Sequence, residues 1–201
     1  MKKEGASADD TGASRPKLIV GIGGSAGALN AYKALLNALP FDTGMAFVVV
    51  SHMNPTANSN LALILSRSTK MTVQVAAMAM PILSNHVYIT PPNADLFIDD
   101  YAFKVTSPRS TGHKQIDVFF ASLAEAMGVR AIGIVLSGYN GDGTEGCKRI
   151  KAKAGTTFAQ DMSAEVDSMP LSAQASGAVD YVMPFEEMAG KLCSLADAFD
   201  D

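Results

Sequence analysis

A serine, a histidine and an aspartate each stand behind an apolar run. Ser25 follows LIVGIGG, His52 follows MAFVVVS, and Asp142 lies in the turn SGYNGDG behind AIGIVL. Together they could do nucleophilic chemistry. A serine hydroxyl is a weak nucleophile until a base takes its proton; a neutral imidazole can do so near neutral pH, and a carboxylate can fix the imidazole tautomer and stabilise the imidazolium. The letters around Ser25 allow a second chemistry. In KLIVGIGGSAG (residues 17–27), Gly21, Gly23 and Ala26 fit the dinucleotide fingerprint G-x-G-x-x-G/A, while Gly23, Ser25 and Gly27 fit G-x-S-x-G, the strained turn that lifts a nucleophilic serine above a sheet. A dinucleotide site demands an Asp or Glu at the end of the second strand to hold the ribose hydroxyls. Ser51-His52-Met53 stands there instead, and an imidazole is the wrong group for that task.

Each candidate also has an ordinary reading. Ser25 could be only a helix N-cap, His52 a structural histidine, and Asp142 a turn residue or N-cap; their joint placement favours the chemical one. His86 begins a strand, at the opposite edge from the crevice. His113 lies in the polar loop SPRSTGHKQ and is a lesser candidate, for substrate contact. Three histidines without close spacing or a carboxylate cluster argue against a metal site, and no cofactor is expected. The order Ser, His, Asp differs from the Ser, Asp, His of α/β-hydrolases, so any kinship is of architecture and not of topology.

The elements that would position these residues read as strands alternating with helices. Strands are expected over residues 18–22, 45–51, 72–75, 87–90, 131–136, 156–159 and 179–183, with a hairpin of 95–98 and 102–106. Helices are expected over 28–38, 58–67, 116–127, from the second glycine turn to 154, over 171–176, and from Pro184 to about 195. The first helix shows Leu29, Tyr32, Leu35, Leu36 and Leu39 on one face; the helix from 116 shows Val118, Phe119, Leu123 and Met127. The near-continuous apolar strands predict an α/β fold: a mostly parallel, doubly wound sheet with helices on both faces and a peripheral antiparallel hairpin. In such a sheet the strand C-terminal ends share one edge, where ligands bind.

The chain has 201 residues, 48% hydrophobic and 18% charged, with a net charge of −4, so it can bury a full core and offers no general attraction for nucleic acid. Cys147 and Cys193 read as two reduced helix-packing thiols. No apolar run approaches the ~18 residues of a membrane span, and no secretory signal is evident. The expectation is a soluble cytoplasmic protein without membrane insertion. Residues 1–16 are polar and small and read as a disordered leader or linker, 17–196 as the catalytic domain and 197–201 as a tail.

IVGIGGSAGAL, MAFVVVSHMNP, HVYITPPNADL, AIGIVLSGYNGDGTEG, TFAQD and SMPLSA, in that order, resemble the catalytic domain of the CheB protein-glutamate methylesterases of bacterial chemotaxis. The resemblance covers about residues 17–195. It implies a triad of Ser25, His52 and Asp142, with an oxyanion hole from the backbone N–H groups of Ala26 and Tyr139. It implies as substrate the glutamyl γ-methyl esters on the cytoplasmic helices of methyl-accepting chemotaxis receptors, with deamidation of particular receptor glutamines as a further activity. It departs from the family pattern at Ala26-Gly27-Ala28 (usually Thr-Gly-Gly), at Tyr139 (Met or Thr) and at Gly141 (Asn in stand-alone members). Its wording is closer to the version fused to a CheR-type methyltransferase, which the resemblance implies as a partner in the same chain or pathway, and the expectation is a chain without the receiver domain of the stand-alone members. The rival expectation is a catalytically silent domain of a sensory fusion that binds receptors or a kinase.

Overall fold

A computed structural model describes residues 14–52, 58–109 and 112–199. The strands are β1 (Ile19–Gly24), β2 (Ala46–Ser51), β3 (Thr72–Val75), β4 (His86–Ile89), β5 (Asp95–Asp99), β6 (Ala102–Thr106), β7 (Ala131–Val135), β8 (Thr156–Gln160) and β9 (Tyr181–Met183). The helices are α1 (Ala28–Ala38), α2 (Asn58–Ser66), α3 (Gln115–Met127), α4 (Thr144–Ala152), α5 (Ser168–Ala175) and α6 (Phe185–Asp197). Seven strands form one sheet in the order β3-β4-β2-β1-β7-β8-β9, and every pair is parallel. β5 and β6 form a separate antiparallel hairpin, whose turn at Asp100 and Tyr101 takes two left-handed residues, with φ of 44° and 57°. The fold class is the one the sequence predicts.

β1 and β2 are buried along their whole lengths, and the period of two sends alternate residues to opposite faces. Leu18, Val20 and Ile22 join Leu35, Leu36 and Leu65 in a core under α1, α2 and α6. Ile19, Val48 and Val50 join Ile116, Phe119 and Phe120 in a second core under α3, α4, α5 and the hairpin. Gly21 and Gly23 lie on that second face. A Cβ added at Gly21 would stand 2.8 Å from Phe120 Cε1, and one at Gly23 would stand 2.5 Å from Ile116 Cγ2. The fingerprint glycines therefore admit α3 against β1, which accounts for them without a phosphate.

The helix faces differ from expectation in two places. Leu29 is exposed, and α1 buries Ala28, Ala31, Tyr32, Leu35 and Leu36. On α3, Val118 is half-buried and Phe120 is buried, because the helix packs on the sheet and on α4 at once. α5 begins at Ser168, three residues early, with Pro170 in its first turn, where a proline lacks only an N–H that would have no partner. Of the expected leader, residues 1–13 lie outside the described residues; Ser14 accepts the Ser84 N–H at 2.9 Å and Pro16 is buried. No described helix is long and apolar enough to cross a membrane.

Candidate active site

β1 lies where the strand order reverses: the chain leaves it for β2 on one side and later returns as β7 on the other. Crevices for ligands open at such points, beyond the strand C-termini. Gly24 of β1 pairs with Ser51 of β2, so Ser25 and His52, the next residues, stand side by side. On the other flank the Ser25 N–H donates to the Ser137 carbonyl at 2.9 Å, which fixes Ser25 against the turn after β7. Ser137 is buried and ties that turn down: its N–H donates to Gln160 Oε1, its hydroxyl donates to the Ala26 carbonyl at 2.8 Å, and it accepts the Val166 N–H at 2.9 Å.

Ser25 is not the N-cap of α1. That place falls to Gly27, left-handed at φ 76°, where an added Cβ would meet Ser137 Oγ at 2.6 Å. The serine side chain is left for other work, next to the positive end of α1. Among the described residues no hydrogen bond closes between Ser25 Oγ and His52; such contacts are often loose before substrate binds.

His52 Nε2 meets Asp142 Oδ2 at 2.5 Å, with the two side chains only 6% and 1% exposed. The exclusion of water strengthens that bond. With Nε2–H donated to Asp142, the ring's lone pair lies on Nδ1, the nitrogen able to take a proton. Asp142 is not at the strand end itself; it comes late in the turn between β7 and α4. Its carboxylate also accepts the N–H groups of Ile116 at 3.0 Å and of Asp117 and Gly143 at 2.9 Å each. Its own N–H donates to Asn140 Oδ1 at 3.0 Å. Gly143, left-handed at φ 93°, is the N-cap of α4. A Cβ on Gly141 would meet Ser172 Oγ at 2.7 Å, so glycine suits the close pass of α5 there.

The Ser25 and Gly138 N–H groups are both taken, the latter by the Val166 carbonyl at 2.9 Å. Among the described residues no acceptor takes the N–H of Ala26 or of Tyr139. The Tyr139 side chain points to solvent, which leaves room for its ring where the family usually has Met or Thr.

His113 is brought to the site: its ring meets that of His52 edge-on, with centroids 6.0 Å apart. With Lys114, Asp117, Asn140 and Thr144 it lines a cavity of about 500 Å³ beside Asp142. His86 stays at the far end, beginning β4, with its Nδ1 2.8 Å from the Ser84 carbonyl oxygen. Among the described residues no group of three His, Cys, Asp or Glu side chains could hold a metal ion.

Sequence reasoning missed Asp117, Asn140 and Ser137. Asp117 had one signal, an acid in the first turn of a helix. Asn140 had another, Asn-Gly in a turn, and it takes a positive φ of 64°.

The chain is 34% identical over 172 residues to a "putative protein-glutamate methylesterase/protein-glutamine glutaminase" of Leptospira interrogans, covering 84% of this chain and 89% of that protein. It is 34% identical over 180 residues to "protein-glutamate methylesterase/protein-glutamine glutaminase 2" of Burkholderia lata, covering 88% of this chain and 53% of that protein, about half its length. The crystal structure of the Thermotoga maritima CheB methylesterase catalytic domain superposes with a TM-score of 0.82 at 29% identity, covering 89% of this chain and 98% of that one. The family model "CheB methylesterase" matches residues 20–192, and the chain belongs to that family.

Proposed function

We propose that this chain is a cytoplasmic serine hydrolase that demethylates glutamyl γ-methyl esters on the helical cytoplasmic domains of methyl-accepting chemotaxis receptors. Its proposed triad is Ser25, His52 and Asp142. The observation that carries the reading is the His52–Asp142 bond beside the paired strand ends that set Ser25 next to His52. A CheR-type methyltransferase, in the same chain or pathway, would supply the esters. Deamidation of receptor glutamines fits the same machinery, with ammonia leaving in place of methanol, and the relatives' names carry both activities.

His52 takes the proton from Ser25 Oγ as it attacks the ester carbonyl. Asp142 holds the imidazolium that forms. The N–H groups of Ala26 and Tyr139 meet the developing oxyanion, each worth about 3 kcal/mol of barrier. His52 then protonates the leaving methanol, and water cleaves the acyl-enzyme by the reverse path, releasing the glutamate. The ring of His113, edge-on to that of His52, supports a contact with the substrate beside the ester.

The test is methanol release from methylated receptor. Ser25→Ala should abolish it with the fold intact, and a fluorophosphonate probe should label the wild type at Ser25 and leave the variant unlabelled. Equal methanol release by the two would sink the serine mechanism.

A further inference from the structure

The mechanism leaves unused a second carboxylate beside its acid. Asp117, in the first turn of α3, is half-buried. Its Oδ1 accepts the N–H of Gly143 at 2.9 Å and of Gly146 at 2.8 Å. In return Asp142, just ahead of α4, accepts the N–H groups of Ile116 and Asp117 at the start of α3. The first N–H groups of a helix have no partner inside it. Here each helix takes its acceptor from the other, so neither start can shift alone.

We propose that Asp117 is a positioning residue for the reaction: by holding the N–H groups of Gly143 and Gly146, it fixes the turn that carries Asp142 at the reach of His52. The inference rests on the triad proposed above. The His52–Asp142 bond, at 2.5 Å, has no slack to absorb a displaced turn. Gly143, between Asp142 and α4, bonds both carboxylates through one N–H. The titratable groups around Asp117 are Asp142, Glu145 in the first turn of α4, Lys114 and His113 ahead of α3, and His52 behind Asp142. Burial pushes the Asp117 carboxyl above its ordinary value and the neighbouring Asp142 adds to that, against the two N–H donors.

The test compares Asp117→Ala, which removes the acceptor, with Asp117→Asn, which keeps it. Two readings are taken on the full chain: kcat and KM for methanol release, and the low-field proton resonance of the His52–Asp142 bond, identified by its loss in His52→Gln. In Asp117→Ala, kcat should fall about 10- to 100-fold at nearly constant KM, the penalty of misplacing a catalytic group by around 1 Å, and the low-field resonance should disappear. Asp117→Asn should restore both. A residue that merely caps α4 would lower the melting temperature of the alanine variant and leave kcat and the resonance of the folded protein as in the wild type; that result overturns the proposal. Should Asp117→Ala fail to fold, Asp117→Ser, whose short hydroxyl reaches at most one of the two N–H groups, must show the same losses in lesser degree, and wild-type values there overturn it equally. If the wild type releases no methanol, the hydrolase reading fails, while the resonance still decides whether Asp117 holds Asp142.

Discussion

Asp142 receives four hydrogen bonds on its carboxylate, three from backbone and one from His52. An ionised carboxylate has about four lone-pair sites and no donor, so its capacity is full. Asp142→Asn keeps the shape and breaks this pattern, because an amide nitrogen must face either His52 Nε2 or a backbone N–H, donor against donor. The imidazole can relieve the clash only by adopting the other tautomer, which removes the lone pair from the side of the serine. The expected result is a loss in kcat of about 10³–10⁴-fold, measured with methylated receptor. Ser25 and His52 were legible in the sequence because each comes straight after a buried strand. Asp117 was not: an acid in the first turn of a helix ordinarily answers only the helix dipole, and its partners lie 26 and 29 positions along the chain.

At the scale of elements, the decisive contact is α3 against α4. Gly146 on α4 faces Phe120, and a Cβ there would lie 2.5 Å from Phe120 Cβ. Gly146→Ala should push the helices apart and lower stability by about 1–3 kcal/mol in denaturant melts. It should lower kcat as well, since α4 begins right behind Asp142. Gly190→Ala on α6 is the counterpart: an added Cβ meets nothing within 4 Å, so the helix should gain up to about 1 kcal/mol and the rate should hold. Periodicity found the strands and helices, mostly within a residue or two of their ends. It failed at Leu29, which sits beside the buried face of α1, and at Phe120, because a stripe narrow enough for one neighbour was assumed where α3 has two.

Across the whole molecule, the edge strand β9 is tied to β8 by Asp180, which leads into it. Its Oδ2 accepts the N–H and hydroxyl of Thr157 on β8 at 3.0 Å each, and Lys151 of α4 pairs with Oδ1. Burial pushes this carboxyl up, but Lys151 and Thr157 together outweigh it and hold it below the usual carboxylate value. Folding thus lowers its affinity for protons. Its contribution is full above the unfolded value of about 3.9 and is lost as pH falls through the depressed folded one. Solvent screens this pair, so Asp180→Asn should cost at most about 1 kcal/mol in unfolding free energy at pH 7, a difference that shrinks on acidification below about pH 4. The sheet order was not legible in detail; alternation predicted parallel strands, but which neighbours pair depends on cores that only the folded chain assembles.

The pairing of Gly24 with Ser51 means that the spacing of Ser25 and His52 is written in backbone hydrogen bonds. Apolar side chains along β1 and β2 can be exchanged for others of the same volume without changing it, although the β1 glycines cannot. Asp142 is held differently, through the side chains of Asp117 and Asn140 acting on its turn, so a single replacement there can unseat it. One corner of the site is set by backbone pairing and the other by side chains, and outside the triad itself the second is where a variant library would lose activity first.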